Sequence, residues 1–130
     1  MTTPRTILVV DDNDVNRQLT VDVLRWKGFT VLEATSGQDA LDRIKSDHPD
    51  LVILDIQLPQ MSGLEVMRQL RGSPDKVMAS TKVLAATALA MPDDRERCLA
   101  VGCNDYLARP FSFKMLSDRI AALMQTTTLP

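Results

Sequence analysis

The sequence predicts a doubly wound α/β fold: five βα units around a parallel sheet, with helices on both faces. Short apolar runs recur five times along 130 residues, and helix-period segments separate them. The runs are continuous rather than alternating, as in Ile7-Leu8-Val9-Val10 and Leu51-Val52-Ile53-Leu54. Continuous hydrophobicity is the mark of a parallel strand covered on both sides. Right-handed crossovers between such strands then distribute the helices over two outer layers.

Taken in order, the first strand is expected at Thr6 to Val10, with Asp12 or Asn13 available to cap the helix after it. Val15, Leu19, Val23 and Trp26 mark that helix, and Gly28 can end it in a left-handed cap. A second strand spans Phe29 to Ala34. Gly37, Ala40, Leu41 and Ile44 follow at i, i+3, i+4, i+7, with Thr35 and Gln38 placed as a capping box. The third strand covers Asp50 to Leu54 and delivers Asp55 at its end. Gly63, Val66, Met67 and Leu70 repeat the helical pattern behind a second capping box, Ser62 with Glu65. The fourth strand runs from Lys82 to Thr87, before a Pro92 to Val101 helix that Gly102 can terminate. A weaker fifth run, Asp105 to Ala108, precedes Arg109-Pro110. The last helix carries Phe113, Leu116, Ile120 and Leu123. Met67, Met115 and Met124 read as core fillers, and Asp93-Asp94-Arg95-Glu96-Arg97 as a solvated helix face with acids near its positive end.

Composition narrows the functional classes. The chain holds 15 Lys plus Arg against 17 Asp plus Glu, a formal charge of −2, and its pI is near 5.3. No basic cluster of the kind nucleic-acid binding requires is present. The apolar runs are far too short for a membrane span and the start lacks a signal peptide's apolar stretch, so a cytoplasmic protein without membrane insertion is expected. Cys98, Cys103 and His48 are the only soft-ligand candidates and make no zinc or iron-sulfur set. Both cysteines read as reduced packing residues, with a redox role as the alternative. One domain is expected over 1–130, its core at about 5–125 between short polar tails, and no output domain is expected after the last helix.

In open α/β sheets ligands bind outside the carboxyl ends of the strands. The residues there are Asp11 and Asp12, Asp55, Thr87 and Arg109. Carboxylates about 4 Å apart repel by roughly 4 kcal/mol at an effective dielectric near 20, so the cluster either binds protons or holds a cation. A hard divalent ion suits oxygen ligands, with Mg²⁺ first and Mn²⁺ second. Singly, each residue has an ordinary structural use: a helix cap, a strand-end acid, a β-branched strand former. The combination at four strand ends is what points to a site. No Gly-rich phosphate loop follows the first strand, which argues against nucleotide or flavin-phosphate binding there.

The segments Ile7-Leu8-Val9-Val10-Asp11-Asp12-Asn13, Leu51-Val52-Ile53-Leu54-Asp55-Ile56-Gln57-Leu58-Pro59, Met61-Ser62-Gly63, Ala86-Thr87-Ala88 and Asp105-Tyr106-Leu107-Ala108-Arg109-Pro110 resemble a CheY-like response-regulator receiver domain of two-component signalling. The resemblance covers nearly the whole chain in the order and spacing of the motifs. It implies a flavodoxin-like sheet of order 2-1-3-4-5 and a stand-alone receiver. Asp55 would be the phosphoacceptor, served by a histidine kinase, a histidine phosphotransfer protein or a small phosphodonor. Mg²⁺ would be held by Asp12, Asp55 and the backbone carbonyl of Gln57, and through water by Asp11. Thr87 would be the switch hydroxyl and Tyr106 the aromatic that reports its movement. A downstream target would dock on the fourth helix, fifth strand and fifth helix.

At one position the chain departs from the pattern, having Arg109 where the family places lysine. Arginine keeps the charge but spreads it over a bulkier plane. The expectation is a receiver that accepts phosphate at Asp55 while the inward movement of Thr87 and Tyr106 is incomplete. The alternative is a protein-binding module that works without phosphorylation. A metal-dependent phosphohydrolase is the third reading, disfavoured because Asp55-Ile56-Gln57 offers no second acid two residues on. As a receiver the chain would be no enzyme beyond its own phosphorylation and dephosphorylation.

Overall fold

The structure is a computed structural model that describes residues 5–87, 93–109 and 111–125. Ala88, Pro92 and Pro110, used in the sequence reading, lie outside these residues, as do both tails. The chain runs β1 (Thr6–Val10), α1 (Asp14–Trp26), β2 (Thr30–Ala34), α2 (Gly37–Asp47), β3 (Leu51–Asp55), α3 (Gly63–Arg71), α4 (Lys76–Ala79), β4 (Val83–Thr87), α5 (Asp94–Ala100), β5 (Asp105–Ala108) and α6 (Phe113–Gln125). All five strands pair in parallel in the order β2-β1-β3-β4-β5. This is the flavodoxin-like α/β fold that the sequence predicts.

Side chains alternate across the sheet, and both faces are covered. Leu8, Val10, Val52, Leu54, Val83 and Ala85 pack with Ala40 and Ile44 of α2, Val66 and Leu70 of α3, and Cys98 of α5. Ile7, Val9, Leu51, Ile53, Leu84 and Ala86 pack on the other side with Val21 and Leu24 of α1 and Leu116 and Ile120 of α6. Each fully buried aliphatic side chain contributes roughly 1.5–3 kcal/mol of transfer free energy. Ile7 to Val10, Leu51 to Leu54 and Val83 to Ala86 carry such residues at consecutive positions, which is why these runs show no alternation.

Several details differ from the sequence reading. The core-facing residues of α1 are Thr20, Val21 and Leu24, whereas Val15, Leu19 and Trp26 are 68%, 52% and 85% exposed. The rotation of α1 is set by Arg17, whose guanidinium donates to Glu33 on β2 at 3.0 Å and to the Asp11 carbonyl at 2.9 Å. Thr20 tolerates burial because its hydroxyl donates to the Asn16 carbonyl. On α6, Phe113 and Met115 are exposed while Leu116, Ile120 and Met124 are buried. Met115 is therefore no core filler, though Met67 and Met124 are. The α2 cap is Ser36, not Thr35: its hydroxyl accepts from Asp39 N at 3.1 Å, and Asp39 accepts from Thr35 N. Ser62 caps α3 as expected, accepting from Glu65 N. Gly28 and Gly102 adopt the left-handed conformation that their positions after α1 and α5 call for, with φ of 99° and 104°.

The one-turn α4, capped by Asp75, is too short to show periodicity and was not expected. It shifts the numbering, so the predicted fourth and fifth helices are α5 and α6. Among the described residues no helix is long and apolar enough to cross a membrane.

Beside α4 lies an arginine strut. The half-buried Arg71 donates to the carbonyls of Gly102, Ala79 and Thr81 at 2.7–3.0 Å and to the Asn104 side chain at 3.1 Å. It ties the end of α3 to the turns before β4 and β5, and its removal leaves several carbonyls without a charged donor. Arg71→Ala is expected to lower unfolding free energy by about 2–4 kcal/mol, while Arg68→Ala, on an exposed pair with Glu65, costs less than about 0.5 kcal/mol. Urea midpoints at constant slope check the contrast.

Candidate functional site

Register and parity build the site. Val10 pairs with Leu54 across β1 and β3, so Asp11 and Asp55 end adjacent strands side by side. Asp11 continues the side-chain parity of Ile7 and Val9, and Asp55 that of Leu51 and Ile53. Both carboxylates thus leave the sheet on one side. Asp12 joins them, and one carboxylate oxygen from each of Asp11, Asp12 and Asp55 lies within 4.8 Å of the others. Asp11 and Asp55 are buried, Asp12 exposed.

Backbone and side-chain donors hold this arrangement. Oδ1 of Asp55 accepts from the Gln57 N–H at 2.9 Å, and Oδ1 of Asp11 from the Asn13 N–H at 2.9 Å. Asn13, in turn, caps α1 through the Asn16 N–H. Gly63 lets α3 approach the end of β3: a Cβ there would lie 2.7 Å from the Ile56 Cα and 2.8 Å from the Asp55 carbonyl oxygen. The Gly63 N–H also donates to the Ile56 carbonyl at 2.9 Å, an approach that a side chain at this position would block.

Thr87 and Arg109 reach the same rim from β4 and β5. Thr87 is buried, and its hydroxyl has no hydrogen-bond partner among the described residues. The Arg109 N–H donates to the Thr87 carbonyl at 2.8 Å. Its guanidinium goes to Asp11, Nη1 to Oδ2 at 2.9 Å, rather than to Asp55. Tyr106 is buried in the layer that includes Cys98, and its hydroxyl is likewise without a partner among the described residues. Sequence reasoning missed Arg17 and Glu33, which lock the Asp11 backbone. Arg17 at three residues from Asp14 hints at a local ion pair, but nothing local signals the reach to β2.

Burial dominates the titration of Asp55. Removal from water pushes its carboxyl up to about 6, with the Gln57 N–H and the Arg109 charge opposing and the Asp11 and Asp12 charges reinforcing. The cysteine thiols are also pushed up by burial, Cys103 to about 12, which makes them poor nucleophiles and fits packing residues.

The donor set suits a hard divalent ion. Three carboxylates from two chain segments converge with an adjacent backbone at Gln57, and Mg²⁺ or Mn²⁺ prefers such oxygen ligands. Asp11, Asp12 and Asp55 are the groups of this cluster that could hold it.

Comparison with known proteins identifies the family and the fold. A family model described as response regulator receiver domain matches residues 7–121. The polar-differentiation response regulator DivK of Brucella ovis is 36% identical over 120 residues, covering 92% of this chain and 96% of that protein. A putative response regulator from Chloroflexus aurantiacus superposes with a TM-score of 0.88 at 32% identity, covering 95% of this chain and 99% of the other. The chemotaxis protein CheY4 of Vibrio cholerae superposes with a TM-score of 0.85 at 26% identity, covering 93% and 99%.

An acid whose folded value is raised weakens the fold as pH rises through that value and leaves it unaffected below the unfolded value near 3.8. Asp55→Asn should therefore be more stable than the parent at pH 8, by up to about 3 kcal/mol, with the gap closing as pH falls toward 4. Urea unfolding of both proteins across that range checks it; parallel curves would refute the buried-charge account.

Proposed function

Since the chain belongs to the response regulator receiver family, we propose that it is a phosphoacceptor in a two-component relay, phosphorylated on Asp55 in a Mg²⁺-dependent reaction. The observation that carries the reading is the placement of a buried carboxylate at the end of the central strand β3, within reach of two more. Burial keeps Asp55 basic for a carboxylate yet ionised at neutral pH, as a nucleophile requires. The Gln57 N–H holds one of its oxygens and leaves the other for attack. That oxygen forms a P–O bond as the P–N bond of a phosphohistidine donor breaks and the imidazole leaves. Bound Mg²⁺ would neutralise charge on the transferring phosphoryl oxygens.

Thr87 offers a buried hydroxyl that has no hydrogen-bond partner among the described residues, which suits a donor to the new phosphate. Tyr106, on β5 with its ring in the core, suits a reporter to the outer surface. The donor would be a histidine kinase or histidine phosphotransfer protein in the cytoplasm. The downstream target would be a protein docking on α5, β5 and α6, with no nucleic acid or membrane surface engaged. The chain would turn over nothing beyond its own phosphorylation and dephosphorylation. A second reading, docking without phosphorylation, is favoured by one observation: Arg109 pairs with Asp11 instead of Asp55.

Incubation with a small phosphodonor and Mg²⁺ should add one phosphoryl group by mass, labile to base and hydroxylamine. Asp55→Asn should take up none under the same conditions. A base-stable label in that variant would place the chemistry elsewhere, and target binding indifferent to the donor would establish the second reading.

A further inference from the structure

Two nucleophilic side chains lie away from the acidic rim: Cys98 in α5 and Cys103, two residues before β5. Helix α5 is capped at Val101, and Gly102 follows with φ of 104°. The Cys103 N–H donates to the Cys98 carbonyl and the Gly102 N–H to the Leu99 carbonyl, both at 3.0 Å. These two bonds close a Schellman motif, which brings the side chains at its two ends into contact. That contact is ordinarily apolar. Here it is made by two thiols within hydrogen-bonding distance of each other. Both are buried, at 1% and 5% exposure, in the core layer that also holds Tyr106. The Gly102 carbonyl beside them accepts from the Arg71 guanidinium at 2.7 and 3.0 Å, so the turn that sets the separation of the thiols is clamped from outside.

We propose that Cys98 and Cys103 are a disulfide-forming pair, oxidised by a low-molecular-weight disulfide, whose closure staples the end of α5 to the approach to β5 and moves Tyr106. The thiolate of Cys103 attacks a sulfur of the small disulfide, whose S–S bond breaks, and one small thiol leaves with the proton that Cys103 gave up. The Cys98 thiolate then attacks the Cys103 sulfur of the mixed disulfide, and the second small thiol leaves with the Cys98 proton. Two protein thiols are oxidised by two electrons in all, and one small disulfide is reduced to two thiols. Cys103 goes first because the positive charge of Arg71 favours its thiolate. Burial keeps both thiols protonated in the closed fold, so the first step proceeds while the last turn of α5 is open. The second step joins residues that the turn already holds together. Closure draws the sulfurs from hydrogen-bond contact to about 2 Å. A close-packed layer transmits such a displacement, and Cys98 lies within electrostatic reach of the Tyr106 hydroxyl. The pair stands independently of the phosphoacceptor reading; only its effect on a docking target rests on that reading.

The test incubates the reduced full chain with oxidised glutathione, quenches in acid and digests with trypsin without reductant. Both cysteines fall in the peptide that starts after Arg97, so closure reads as a loss of about 2 Da from that peptide. Most of the chain should reach this state, and the Tyr106 amide and ring NMR signals should shift with the same time course. Asp55→Asn should close equally well, which separates the pair from the phosphoacceptor chemistry. Cys103→Ala should show neither the loss nor the Tyr106 shift. A peptide that keeps its reduced mass, or that stops at the glutathione adduct, overturns the pair. Closure with the Tyr106 signals unmoved overturns the coupling. Both measurements use the unaltered chain, so a poorly folding variant does not remove the test.

Discussion

Two carboxylates buried at the ends of neighbouring parallel strands are the constraint around which the rest of this molecule is organised. Asp11 and Asp55 are placed there by the register of β1 and β3, and like charges so close in a dry setting oppose folding. Every feature near them lowers that cost or makes use of it. The Asn13 and Gln57 amides each donate to one carboxylate. Arg109 brings a full positive charge from the far side of the sheet. Burial first, and the Asp11 and Asp12 charges after it, still push the Asp55 carboxyl up to about 6 despite these donors. A site in this condition is one that gains when a cation or a proton arrives.

The scaffold has to be stiff for such a cluster to persist. Stiffness comes from a sheet whose inner strands are buried on both faces and from struts at both ends. At the carboxyl end, Arg17 joins α1, the Asp11 backbone and Glu33 of β2. At the opposite end, Arg71 closes three carbonyls from the turns that lead into β4 and β5. Both are arginines because each serves several acceptors at once with a planar fork, which a lysine ammonium does less well.

Much of this was legible in the sequence where a local pattern has one physical meaning. Unbroken apolar runs meant two-sided burial, and the strand-end acids, Thr87 and Arg109 all fall on the rim. The faces of α2 and α3 were read correctly because each has a single apolar stripe. The face of α1 was not, because that helix carries two: Val15, Leu19, Val23 and Trp26 form the more hydrophobic one, yet Thr20, Val21 and Leu24 face the core. Hydrophobicity alone picks the wrong stripe when a polar contact decides the rotation, and the Arg17 to Glu33 pair spans 16 residues. The same limit hid the partner of Arg109. A position before proline after a fifth strand says that a cation is near the site, but the reach of a long side chain across 98 residues to Asp11 is set by three dimensions, not by spacing.

That partner choice has a mechanical consequence. Through its backbone Arg109 is bonded to the end of β4, through its side chain to the end of β1, and it is itself the residue that follows β5. One residue therefore ties three strand ends together. Tyr106 sits three positions upstream on the same strand, buried against a core layer that includes Cys98 of α5. The guanidinium on Asp11 and the buried tyrosine are thus carried by one short strand and the residue that follows it. The planar guanidinium, held between Asp11 and the Phe111 ring, makes the link from first strand to fifth a part of the resting structure.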